Sequence, residues 1–188
     1  MSVLLEATEN VLAERGFAAT TTNHIAEEAG VSIGTLYHYF PSKEALVEAV
    51  VHGMWARELA VLQAHQKALV DGPLDRAVHA IVRDLVAVMA SRQALYRRWY
   101  AEASHLGSLD AGLQITAQAV DAVHRALLPR AAELRPRNLA FAADFVVKMA
   151  LAMVRMVRTG ARDWERETRS GELAETVADS ILRYLVRD

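Results

Sequence analysis

Residues 20–46, TTTNHIAEEAGVSIGTLYHYFPSKEAL, constrain this chain more than any other stretch. They set a short helix, a tight turn, a second short helix and the start of a third in fixed register. The threonines at 20 to 22 can cap a helix whose inner face carries Ile25, Ala26 and Ala29. Gly30 follows the last turn of that helix and can take left-handed backbone at little cost. The chain therefore reverses within a few residues, and Ser32 caps the next helix while Val31 closes the corner. Helices joined by so short a turn approach closely, which the small Ala26 and Ala29 permit.

From Ser32 onward, helical periodicity sets Leu36 and Phe40 on one side, Gly34, Thr35 and His38 on the other, and Tyr37 and Tyr39 on the flanks. The first side belongs to a core, the second faces out, and the flanking phenols can reach phosphates on either side of a groove. Pro41 stops the helix. Ser42 and Lys43 open the next one, where free backbone N–H groups and an ammonium converge. Such an arrangement suits a helix-turn-helix that lays its second helix in the major groove of DNA.

In the pattern IAEEAGVSIGTLYHYFPSKEAL, with AGVS, GTLY, HYF and SKEAL in order, this segment resembles the signature of the TetR family of bacterial transcriptional regulators. The resemblance implies an all-α fold, with a three-helix helix-turn-helix DNA-binding domain over residues 1–46 and a helical effector-binding and dimerisation domain over 47–188. Position by position it implies Thr22, Tyr37, Tyr39 and Lys43 as phosphate contacts, with Ile33, Gly34, Thr35 and His38 nearest the base edges and Asn23 as a further candidate. Plainer roles stand beside these: Thr22 as a cap, Tyr39 packed on the first helix, Ile33 in the core. Ile33 and Thr35 offer methyl groups suited to thymine, but no arginine stands on this face to read guanine, which leaves part of the specificity to DNA shape.

Charge pulls the other way. Residues 1–50 hold seven glutamates against Arg15 and Lys43, a formal charge of minus five and a poor balance for nonspecific attraction to DNA. The basic arm common ahead of the family's first helix is expected to be absent or trimmed, since Val3, Leu4, Ala7 and Val11 show helical spacing directly after Ser2. Affinity is then expected from a few well-placed contacts with a modest salt dependence. The alternative is a helical small-molecule-binding or interaction module with a vestigial DNA-binding domain.

The rest of the chain reads as helix. Its 188 residues are 53% hydrophobic with only four prolines and nine glycines, enough apolar side chain for a large helical core. Zero cysteines exclude disulfides, thiol nucleophiles and thiolate metal sites, and the seven histidines show no pair at the three- or four-residue spacing of a helical metal site. Phosphate loops and a nucleophile elbow are also missing, so neither enzyme activity nor a cofactor is expected. No uncharged apolar run of membrane-spanning length, signal peptide or lipidation signal is present, which predicts a cytoplasmic protein with no membrane partner.

A helix from near Ser42 is predicted to run unbroken to Val70, ending at Asp71, Gly72 and Pro73. Breaks at Ser91, 106–108, Pro129, Pro136 and 159–170 divide the remainder into about five helices. Residues 138–158 are almost all apolar apart from a stripe of Asp144, Lys148, Arg155 and Arg158, and the final helix repeats Leu173, Val177, Ile181, Tyr184 and Leu185 at helical spacing. These last two helices are predicted to form a homodimer as a four-helix bundle, with packing inside one chain as the alternative. Two reader helices related by two-fold symmetry would require a near-palindromic double-stranded DNA operator. A small hydrophobic effector that releases this repressor is expected among the middle helices, with Leu85, Met89, Tyr96, Trp99, Tyr100, Leu113, Phe141, Phe145 and Met149 as candidate lining and His79, Arg98, His105 and His124 as polar handles.

Overall fold

The computed structural model describes residues 1–102, 109–159 and 165–186. Among the described residues there are eleven α-helices and no named strand, so the fold is all-α as the sequence indicates. No helix among them is long and apolar enough to cross a membrane. They fall into two compact units: Met1–Trp55 with Arg92–Gly112, and Ala56–Ser91 with Leu113–Asp188.

The first unit holds α1 (Ser2–Ala19), α2 (Thr22–Glu28), α3 (Ile33–Tyr39), the first part of α4 (Lys43–Ala64) and α7 (Gln93–Glu102). Its turns follow the capping chemistry in the sequence. Thr21 Oγ1 accepts the His24 N–H at 3.2 Å, Ser32 Oγ accepts the Thr35 N–H at 3.0 Å, and Ser42 Oγ accepts the Ala45 N–H at 3.1 Å. Gly30 takes φ +65°, and the Val31 N–H closes the corner on Ala26 O at 3.0 Å. Leu4, Ala7 and Val11 of α1, Ile25 and Ala26 of α2, Leu36 of α3 and Leu46 of α4 form one core, with Ala29, Val31 and Phe40 packed against it. Leu36 is fully buried, a contribution of about 1.5–3 kcal/mol that locks α3 in rotation about its own axis.

This unit extends past the 1–46 segment delimited from sequence. Helix α7 lies along α1, with buried Leu95, Tyr96 and Trp99. Polar contacts run the length of the pair: Arg92 Nε lies 3.1 Å from a Glu9 carboxylate oxygen, Arg98 donates to Glu14 O at 3.3 Å, and the Phe17 N–H donates to Glu102 Oε2 at 2.7 Å.

The second unit holds the rest of α4, α5 (Gln66–Asp71), α6 (Leu74–Ser91), α8 (Leu109–Leu127) from Leu113 onward, a 3-10 turn over Leu128–Arg130, α9 (Leu139–Thr159), α10 (Glu165–Ser170) and α11 (Glu172–Leu185). Two sequence expectations are corrected here. The long helix from Ser42 does not run unbroken to Val70. It breaks at His65 (φ −99°, ψ 3°), whose Nε2 sits 2.7 Å from Asp84 Oδ2 of α6, and α5 then packs on α6 with Leu69 buried. The 159–170 stretch, read as a break, contains α10, and Gly171 at φ +84° separates it from α11. The break expected at 106–108 lies outside the described residues.

Arg130 is buried and caps the carbonyl end of α5, donating to Val70 O at 3.1 Å and to Gly72 O. The stripe Leu173, Val177, Ile181 and Leu185 of α11 is buried, with α11 packed on α6 and α9 of the same unit. This is the intramolecular alternative for that stripe. At its end the Arg135 N–H donates to Leu185 O at 2.7 Å.

Candidate nucleic-acid interface

With Leu36 as its anchor, α3 exposes Ile33, Gly34, Thr35, Tyr37, His38 and Tyr39. Ile33 is 39% exposed, Tyr37 50% and Tyr39 52%, so none of the three is core. The Thr35 hydroxyl lies 2.9 Å from Ser32 Oγ, and the His38 ring meets Tyr39 edge-on with centroids 5.2 Å apart.

Thr21 rather than Thr22 caps α2. Thr20 is buried and donates its hydroxyl to Gly16 O at 2.6 Å. That leaves the Thr22 hydroxyl free to pair with the Tyr37 hydroxyl at 3.2 Å, one donating to the other, so the start of α2 and the flank of α3 share a hydrogen-bonded pair on the surface. Asn23 stands exposed in the first turn of α2.

Lys43 is held in place. Its Nζ donates to Phe17 O at 3.2 Å and sits 4.1 Å above the centroid of the Phe17 ring, a cation–π contact. An ammonium has three donors, so two are left to reach other acceptors.

The acidic balance is spread unevenly. Helix α3 has no carboxylate; the seven glutamates stand on α1, α2 and α4. Glu9 is paired with Arg92, and Glu28 accepts from Asn10 Nδ2 at 3.1 Å. Arg92–Gly112 also brings Arg92, Arg97 and Arg98 against Glu102 and Asp110, which raises the formal charge of the whole unit from minus five to minus four.

The nine residues named for an effector pocket divide between the two units. Leu85 and Met89 are buried in α6, while Tyr96 belongs to the interior of the other unit and donates its hydroxyl to Met54 O at 3.4 Å. Trp99 meets Trp55 edge-on at 6.4 Å and lines a cavity of about 20 Å³ in the first unit. The Trp55 indole N–H is buried with no acceptor among the described residues. Leu113 is 65% exposed on a groove of about 280 Å³ along α8 and α9, shared with Val120, His124, Ala140, Asp144 and Lys148. Phe141 and Phe145 stack on the outer face of α9 at 6.1 Å, and Phe145 reaches Tyr184 of α11 at 4.7 Å. Met149 is half-buried; the Tyr100 side chain and His105 lie outside the described residues. Aromatic content singled these residues out, but it could not say which helix face each would occupy.

Sequence reasoning missed Phe17 and Glu102. Each carries little local signal, because their contacts join positions 85 residues apart.

Residues 4–50 match the model of the family described as bacterial regulatory proteins, tetR family. Over 50 residues the chain is 46% identical to the HTH-type transcriptional repressor KstR2 of Rhodococcus jostii (strain RHA1), a match that covers 27% of this chain and 24% of that protein. The chain thus spans about a quarter of the length of this curated relative. Whole-chain likeness is in fold. A structure from Mesorhizobium loti described as a TetR-family transcriptional regulator superposes with a TM-score of 0.75 at 18% identity, covering 99% of this chain and 96% of that one. Salmonella enterica GusR gives a TM-score of 0.72 at 24% identity, with 98% and 94% covered. Residues 4–50 thus match the N-terminal domain of the tetR family of bacterial regulatory proteins, and the chain as a whole shares the all-α fold of these solved structures.

Proposed function

We propose that this protein is a cytoplasmic transcriptional repressor that binds a near-palindromic DNA operator as a homodimer and is released by a small hydrophobic effector. The observation that carries the reading is the outward face of α3: fully presented, free of carboxylates, and flanked by the Thr22, Tyr37 and Tyr39 hydroxyls and the held ammonium of Lys43. In this reading Thr22, Tyr37, Tyr39 and Lys43 contact phosphates and fix the register. Ile33, Gly34, Thr35 and His38 meet the base edges, with Asn23 beside them. Gly34 lacks a side chain, which lets the backbone of α3 approach the groove.

The homodimer is assigned to α9 and α11. The α11 stripe is already spent inside the unit, so the surface left for a second copy is Phe141 and Phe145 with Tyr184 beside them. Repression is supported by the likeness to a curated repressor and by simple occupancy of a promoter. To move a dimer from mostly bound to mostly released, an effector needs on the order of 5 kcal/mol of differential affinity for the two states.

The acidic first unit favours the second reading, a ligand-binding module with a vestigial reader. Operator binding by Tyr37→Ala and Lys43→Ala separates the two. The repressor reading predicts that both weaken binding across all sequences while the fold persists; unchanged binding in both removes the contact assignments.

A further inference from the structure

We propose that Glu102, on α7 and far from α3 in sequence, is a positioning residue for DNA binding that acts by holding Phe17 where Phe17 fixes Lys43. The inference rests on the reading of Lys43 as a phosphate contact.

Helix α1 is not regular to its end. Gly16 takes φ +74°, so the backbone turns out of the helix and the Phe17 N–H has no helical acceptor to return to. The Glu102 carboxylate fills that role. Its Oε2 accepts the Phe17 N–H at 2.7 Å, and a Cβ at position 16 would collide with the same carboxylate, so the turn and the acid fit each other. On the other side of Phe17, its carbonyl accepts from Lys43 Nζ at 3.2 Å and its ring lies under the ammonium at 4.1 Å. Glu102 therefore anchors the peptide, the peptide anchors the ammonium, and Lys43 keeps two donors for a phosphate. A lysine otherwise loses several rotatable bonds of freedom on reaching a phosphate; here much of that ordering precedes binding.

The sign of the effect distinguishes this from plain electrostatics. Removing a negative charge from an acidic DNA-binding unit should by itself strengthen binding and leave the number of phosphate contacts alone. If Glu102 instead acts through Lys43, removing it weakens binding and costs one contact.

The test measures binding of the full chain to a duplex it selects from genomic DNA, across a salt series, for Lys43→Ala, Glu102→Leu, their double variant and Glu102→Gln, each checked for helicity. Lys43→Ala is expected to make the plot of log affinity against log salt shallower by roughly 0.9, the value of one phosphate contact. Glu102→Leu is expected to show the same decrement, the double variant no more than either, and Glu102→Gln, whose amide oxygen still accepts the Phe17 N–H, the wild-type slope. If Glu102→Leu does not fold, Glu102→Asp withdraws the carboxylate by one methylene without emptying the site and should also flatten the slope. Wild-type slope or tighter binding in these acceptor-removing variants, or additive decrements in the double variant, overturns the inference while leaving Lys43 a contact. An unchanged slope in Lys43→Ala overturns the contact itself and the inference with it.

Discussion

Glycines at two positions that look equally permissive in the sequence carry opposite physical meanings. Gly30 was legible: a glycine after AEEA and before a capping serine marks a left-handed corner, and no atom lies within 4 Å of where a Cβ would stand. Gly30→Ala should therefore cost only the backbone strain, about 1–2 kcal/mol in urea unfolding. Gly112 lies inside α8, where helix propensity alone says that alanine should stabilise by about 0.8–1.0 kcal/mol. A Cβ there would stand 2.5 Å from the Trp55 ring, and overpacking of that kind costs about 1–3 kcal/mol. Gly112→Ala is expected to be net destabilising, and a gain in stability would show that Trp55 can move aside. Nothing near Gly112 in the sequence reveals this, because the collision is with a residue on another helix.

At the scale of elements, capping boundaries were readable and packing-imposed ones were not. Thr21, Ser32 and Ser42 each bond the backbone N–H three residues on, chemistry written within a single turn of sequence. The interruption of α4 at His65 has no such signature, since it follows from a partner on α6. The His65 hydrogen bond holds the Asp84 carboxyl below its ordinary value of 3.8; burial opposes this, and Arg83 adds to the lowering. A carboxyl lowered in the folded state contributes stability that is complete above the unfolded value and lost as pH falls through the folded one. Asp84→Asn should therefore be less stable than the parent near neutral pH, with the gap closing below about pH 4 as the parent loses this contribution. A gap that stays constant down to pH 2.5 in acid unfolding would assign no such role to Asp84.

For the whole molecule, amphipathic periodicity identified which helices are buried but not what buries them. The apolar stripe of α11 looked like an interface between chains and is covered within its own unit, whereas Phe141 and Phe145, named as pocket lining, lie stacked on the outside of α9. A separable pair of outcomes follows. Phe145→Asp is expected to shift sedimentation from dimer to monomer with little loss of helicity, because Phe145 is 38% exposed. Val177→Asp, at a fully buried site, should unfold the unit by several kcal/mol, in the range of an unpaired buried charge. If Phe145→Asp remains dimeric, the α9 face is not the dimer surface.

The most direct test of the repressor account is to let the purified protein select fragments of genomic DNA and to repeat the selection over a salt series. The account predicts one shared near-palindrome, with half-sites whose centres lie about 34–36 Å apart on one face of the duplex. It also predicts a modest salt slope from few phosphate contacts. Recovery of no common motif even at low salt would contradict it and leave the chain a helical module whose reader domain no longer reads.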